Sequence, residues 1–365
     1  MRARSRTARA RLPIVGTALL ATAAMIATVA AACGDGAGAA PAITTTARAG
    51  VAPVPPKEGA YFGAWVPPDG KKGGGKGDGK DGDGDAASPS ASPSGKPGME
   101  PVIRFERELG RRLDIVQSYR GWKADFPAAL EKSTADGDRY LLLTWAGADT
   151  RKIVQGEYDE LIRRRARAVK QLGQPIFLRW SRDMDASSAK KRVHSPKDFV
   201  AAWKHLRTVF EREQVQNVAW VWCPTARGFG GADAGAYYPG DDHVDWICAD
   251  AHPGADVDYR DLSESLKPFL QWARERPKPI MIAEFGVPAS YGERRAEWLR
   301  EASKTLQDPQ VKAVVYFDSD ERAKNARDKR RAFAVTGDKH ALSALRELAT
   351  TPYFNPRNLP VTSGG

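Results

Sequence analysis

Eight short, nearly continuous apolar runs, each rich in β-capable residues, alternate with amphipathic helical segments along this chain. Runs of this kind have no polar face to leave in water, so they read as parallel strands buried on both sides. They fall at Tyr61–Val66, Leu113–Tyr119, Tyr140–Trp145, Ile176–Trp180, Val218–Cys223, Val244–Ala249, Ile280–Glu284 and Val311–Phe317. Helical spacing follows most of them, at Val102–Arg112, Glu157–Leu172, Pro196–Glu213, Leu262–Arg276, Glu293–Leu306 and His340–Leu348. Eight strand–helix units predict a single (β/α)₈ (TIM) barrel of class α/β, spanning 59–355 with a short tail at 356–365.

Tyr61–Val66 completes the count of eight, which turns the low-complexity stretch at 67–100 into an insertion in the first βα loop. Gly, Lys and Asp, then Ala-Ser-Pro repeats, offer too little apolar surface to offset the entropy of ordering, so disorder is expected there. The Ala/Gly/Pro-rich residues 34–58 are expected to be a flexible tether.

Residues 1–33 read as a secretory signal. Arg2, Arg4, Arg6, Arg9 and Arg11 precede an apolar run, Leu12 to Ala32, that ends in small residues before Cys33. Val29-Ala30-Ala31-Ala32-Cys33 resembles a bacterial lipobox, which implies cleavage before Cys33, a lipid on its thiol and a place on the outer side of the cell membrane; plain secretion is the alternative. Removing the five signal arginines lowers the formal charge from +11 to +6. No basic stripe interleaved with aromatics, zinc-type Cys/His spacing or phosphate-loop glycine pattern occurs, which argues against nucleic acid, a metal or a cofactor. Cys223 and Cys248 lie on successive strands, and either bridge or stay as two buried thiols.

The chemistry should sit at strand C-termini. Ile280-Met281-Ile282-Ala283-Glu284 delivers one acid, and Ile176-Phe177-Leu178-Arg179-Trp180-Ser181-Arg182-Asp183 leads to another. Two strand-end acids separated by several βα units match the layout of a glycosidase carboxylate pair, although each acid could equally cap a helix or pair with an arginine.

Four stretches together resemble glycoside hydrolase family 26, the retaining β-mannanases. They are Tyr61–Trp65; Leu178–Asp185; Trp220–Pro224 with Tyr237–Asp245; and Ile282–Gly286. The resemblance implies Glu284 as nucleophile and Asp183 as general acid/base, acting on an extracellular β-linked polysaccharide. Asp183 and Arg182 stand where that family has Glu and His, His252 where it has Tyr, and Thr225 and Asp185 where it has Asn. A cation beside Asp183 is expected to lower its pKa, against the needs of a general acid. Asp250 or Asp149 is the alternative acid. Flat rings stack on sugars, so Tyr119, Trp145, Trp180, Trp222 and Phe317 join Arg179, Thr225 and His252 as candidate substrate contacts. Two other readings stay open: a catalytically impaired glycan-binding lipoprotein, and a transglycosylase that modifies exopolysaccharide.

Overall fold

Burial on both faces is what the strand sequences demand, and a closed barrel supplies it. The computed structural model describes residues 42–68, 97–231, 233–253, 259–320 and 331–362. Its strands are β1 (Tyr61–Trp65), β2 (Ile115–Arg120), β3 (Tyr140–Trp145), β4 (Ile176–Trp180), β5 (Val218–Trp222), β6 (Trp246–Ala251), β7 (Ile280–Phe285) and β8 (Val311–Phe317). They close in chain order, and β8 pairs with β1 in parallel. The predicted (β/α)₈ barrel is therefore the observed fold.

Alternation along each strand sorts the side chains into two cores. Tyr61, Ile115, Leu142, Phe177, Ala219, Trp246, Met281 and Val315 pack together inside the barrel. Phe62, Val116, Leu143, Leu178, Trp220, Ile247, Ile282 and Val314 belong to the outer core, shared with the helices. The helices are α1 (Glu100–Leu109), α2 (Ala129–Ala135), α3 (Thr150–Val154), α4 (Asp159–Leu172), α5 (Lys190–Val193), α6 (Pro196–Arg212), α7 (Leu262–Ala273), α8 (Arg295–Thr305) and α9 (Lys339–Thr350). At α6 the start is set locally: the Ser195 hydroxyl accepts from Asp198 N at 3.1 Å and Pro196 fills the first helical position.

Three short helices, α2, α3 and α5, have no counterpart in the sequence reading. At α2, buried Glu131 accepts from the Ala128 amide at 2.8 Å and pairs with Arg120 at 2.6 Å, so a tertiary ion pair fixes its start.

The expectation of a flexible tether over 34–58 is overturned for its described part. Residues 42–54 cross the N-terminal ends of the strands. Thr44 N donates to Pro277 O at 2.6 Å, Thr46 Oγ1 donates to Asp245, and the Trp246 indole donates to Pro53 O at 3.4 Å. Ala47 packs on the inner core. These bonds are made largely by backbone and small side chains, so composition does not announce them. The insertion also ends early: Met99 is buried and Ser133 Oγ donates to Pro97 O at 3.0 Å. In the tail, Thr362 N donates to Gly110 O at 2.7 Å. Residues 1–33 with Cys33, and 69–96 of the insertion, lie outside the described residues. Among the described residues no helix is long and apolar enough to cross a membrane.

The seam between β1 and β2 admits no side chain at Gly63, where a Cβ would meet Ile115 Cβ and O at 2.6 Å each. Gly63→Ala is expected to destabilise the barrel by about 1–3 kcal/mol, the usual cost of overpacking. Urea denaturation measures this, and an unchanged midpoint would mean that the seam has room to open.

Candidate active site

The inward positions nearest the C-terminal ends of the strands carry the polar and aromatic chemistry. On β4 Phe177 faces the lumen, so Arg179 does too, and both are fully buried. The same parity brings in Tyr119 from β2, Asp250 from β6 and His252 just beyond its end, and Phe317 from β8. Glu284 arrives differently. Ala249 pairs with Ile282 but Asp250 pairs with Glu284, so Ala283 is an extra residue in β7. This bulge turns Glu284 inward, against simple alternation from Met281.

Arg179 is the hub. Its Nη1 donates to Asp250 Oδ1 at 2.7 Å, its Nη2 to Glu284 Oε1 at 2.5 Å, and its Nε to Thr144 Oγ1 at 3.0 Å. The Tyr119 hydroxyl also donates to Glu284 Oε1, at 2.5 Å. His252 Nε2 lies 3.9 Å from Glu284 Oε2, its ring between Phe317 and Phe333 with centroids 5.0 and 4.9 Å away. Burial alone would raise the Glu284 carboxyl. Arg182, Arg179, His252 and the Tyr119 hydroxyl outweigh it and hold Glu284 at about 2. Asp250 goes the other way: burial, with the negative charges of Glu284 and Asp183, keeps it well above the usual carboxylate range despite Arg179. Its Oδ2 finds no hydrogen-bond partner among the described residues.

Asp183 follows β4 on a sharp turn. Ser181 and Asp183 both sit in the left-handed region, at φ 50° and 55°, and Asp183 N donates to Cys223 O at 3.1 Å. Asp tolerates that backbone better than Glu does, which rationalises the shorter acid here. Arg182 Nη1 donates to Asp183 Oδ2, while its Nε lies 3.5 Å from Glu284 Oε1. The expected lowering of the Asp183 pKa is overturned. Burial is the largest influence, Arg182 opposes it, Glu284 adds to it, and the net direction is upward. The neighbouring arginine divides its charge between two carboxylates.

Other expectations fare differently. Trp145, Trp180 and Trp222 are fully buried and belong to the outer core, so they do not line the lumen. Trp145 stacks on Trp122, Trp180 on Phe199, and Trp222 lies against Trp272. Each sits one residue beyond an inward Thr144, Arg179 or Val221, so parity turns it outward. Thr225 is engaged with protein: its hydroxyl donates to Asp185 Oδ2 at 2.6 Å and accepts from Gly228 N at 3.1 Å. Asp149 caps α3, accepting from Arg151 N at 3.0 Å, and His194 lies 3.0 Å from it, so it is not the alternative acid. Trp65 and Phe333, not singled out from sequence, complete the aromatic wall. Trp65 stacks on Phe317 at 5.0 Å and meets Tyr119 edge-on at 5.5 Å. Inward parity from Tyr61 would have found Trp65.

Cys223 and Cys248 are joined by a disulfide across β5 and β6, beneath the hub, with Arg179 Nη1 3.7 Å from Cys223 Sγ. Cys223, Cys248 and Asp250 lie close enough to hold a metal. The disulfide uses both thiols, however, and Arg179 occupies the Asp250 carboxylate, so the donor set does not suit one.

The arrangement is that of a (β/α)₈ protein with buried carboxylates at the C-terminal mouth of its barrel. No protein-family model matches the chain. Endoglucanase H of Acetivibrio thermocellus is 27% identical over 276 residues, which is 70% of this chain and 30% of that protein. The β-1,3-xylanase TXYA of a Vibrio species is 28% identical over 142 residues, 37% of this chain and 28% of that protein. The chain thus spans less than a third of the length of either relative. Among solved structures, the catalytic domain of the family 26 endo-β-1,4-mannanase of Bacillus sp. JAMB-750 superposes with a TM-score of 0.57 at 12% identity, over 81% of this chain and 86% of that one. A family 26 β-mannanase from Bacteroides ovatus gives 0.56 at 14% identity, over 81% and 90%. The fold is that of the family 26 glycoside hydrolase barrels.

A carboxyl held at about 2 in the folded protein, against about 4.3 when unfolded, contributes stability in full above the unfolded value and loses it as pH falls towards the folded one. Between about pH 4.3 and 2, wild-type stability is therefore expected to fall more steeply than that of Glu284→Gln. Urea denaturation across that range checks this, and equal slopes would show that Glu284 is not held ionised.

Proposed function

We propose that the chain is a retaining glycoside hydrolase acting on an extracellular β-linked polysaccharide, with β-mannan as the first substrate to try. The observation that carries this reading is the pairing of opposite proton affinities at the barrel mouth. Glu284 is kept ionised at about 2 while Asp183, tied to it through Arg182, is raised. Retaining glycoside hydrolysis needs that difference: an ionised nucleophile and an acid that keeps its proton.

In the first step a Glu284 oxygen attacks the anomeric carbon. The glycosidic C–O bond breaks, and the Asp183 proton passes to the leaving oxygen. In the second step water gives a proton to Asp183 and attacks the same carbon, which releases Glu284 as carboxylate. Tyr119 and Arg179 steady the Glu284 oxygen, and Trp65, Phe317 and Phe333 offer apolar ring surface to a pyranose. The names of the relatives, an endoglucanase, a β-1,3-xylanase and β-mannanases, are consistent with a β-linked glycan. Transfer of the glycosyl group to a sugar instead of water uses the same residues.

Export belongs to the same proposal, with cleavage before Cys33 and a lipid on its thiol holding the protein at the outer membrane face. Labelling with a fatty-acid analogue, lost in Cys33→Ser, tests it.

Reducing-end release by the purified full chain on β-mannan, glucomannan, β-glucan, xylan and bacterial exopolysaccharides tests the catalytic reading. Glu284→Ala is expected to fall to background, and Asp183→Ala to lose about 10²–10⁴-fold, the usual worth of a general acid/base. Cleavage that survives Asp183→Ala would move the acid to Asp250. Glycan bound but never cleaved would favour a non-catalytic binding barrel, in which Arg182 keeps Asp183 ionised.

A further inference from the structure

Arg182 does something that neither strand parity nor the proposed two-step reaction requires. Its guanidinium is the group through which the two acids touch. Nη1 holds Asp183 Oδ2, Nε stands 3.5 Å from Glu284 Oε1, and the plane lies over the Tyr119 ring with its central carbon 5.3 Å from the centroid. The side chain is about three-quarters covered, at 23% exposure, so this cation is not simply a solvated surface charge. Arg179 also donates to Glu284 Oε1, and its other contacts are with Asp250, Thr144, the Tyr119 hydroxyl and Cys223. Arg182 thus contacts both acids, holding Asp183 and standing beside Glu284.

We propose that Arg182 is a positioning residue that couples Asp183 to Glu284, so that a change of charge at either carboxylate is felt by the other through one guanidinium. This rests on Glu284 and Asp183 being the reacting pair. When Glu284 becomes an ester its charge disappears, and the whole of the Arg182 charge then acts on Asp183. That favours transfer of the Asp183 proton to the leaving oxygen as the ester forms, and it keeps the carboxylate ionised, as it must be to accept a proton from water. The groups facing this bridge are Tyr119 from β2, Arg179 from β4, Asp183 and Asp185 from the loop after it, Asp250 from β6 and His252 just after it, and Glu284 from β7. Of these, Arg182 and Arg179 both lower Glu284 and Asp183, and Arg182 is the larger influence on each.

Removing that charge should therefore raise both. The experiment is a carboxyl carbon-13 NMR titration of the full chain, comparing wild type with Arg182→Gln, with the two resonances assigned by Glu284→Gln and Asp183→Asn. Both midpoints are expected to rise by about one pH unit or more, as for loss of an opposite charge within contact distance. The two limbs of the kcat/KM pH profile should move upward with them. A midpoint shift at only one carboxyl, or at neither, overturns the coupling. Should Arg182→Gln fail to fold, Arg182→Lys carries the test, because an ammonium lacks the planar fork. At least one midpoint is then expected to rise, and two unmoved midpoints overturn the proposal. Joint movement in a protein that cleaves no glycan would refute the hydrolase reading and leave the bridge standing.

Discussion

A guanidinium with no exposed surface has to be fully paired, and Arg179 meets that demand by gathering three other strands around itself. Thr144 comes from β3, Asp250 from β6 and Glu284 from β7, each within 3.0 Å of a different nitrogen. Stripping a partner from such a buried ion pair typically costs about 3–5 kcal/mol, because the remaining charge is stranded in low dielectric. The same contacts that let the barrel close over a cation also set where the Glu284 carboxylate can be. Folding and site geometry are one problem here, and the disulfide between Cys223 and Cys248 sits directly beneath it.

Around that cation the acids separate by environment. Glu284 collects two guanidiniums, an imidazole and a phenol and stays ionised, while Asp250 shares only part of Arg179 and is driven up by burial and by its anionic neighbours. Asp183 lies between these extremes. Its left-handed backbone, φ 55°, suits a short polar side chain, and the turn that imposes it also swings Arg182 back over Tyr119. The Asp and the Arg are thus two results of one local geometry.

The eight strands were legible because their hydrophobicity is continuous, and a closed parallel barrel buries such strands on both faces. The lumen was only partly legible. Trp145, Trp180 and Trp222 stand at strand ends, where sugar-stacking rings are sought, yet each is one residue out of phase with its strand's inward set. Counting by twos from Tyr61 or Phe177 would have rejected Trp180 and found Trp65. No count would have found the orientation of Glu284, since the extra residue at Ala283 is a property of the β6–β7 pairing and has no local sequence mark. The crossing segment 42–54 was hidden for a related reason. Its backbone groups and small side chains do the bonding, so its composition resembles that of a linker.

That crossing segment gives the molecule a handle and a direction. Thr44, Thr46 and Pro53 fasten it to Pro277, Asp245 and Trp246, residues that precede or open β7 and β6, whereas Glu284 and Asp250 close those strands at the far end. Any load pulling on the chain from upstream of residue 42 is transmitted to the floor of the barrel. The mouth that holds Glu284 and Asp250 is then left at the end opposite the one this segment crosses.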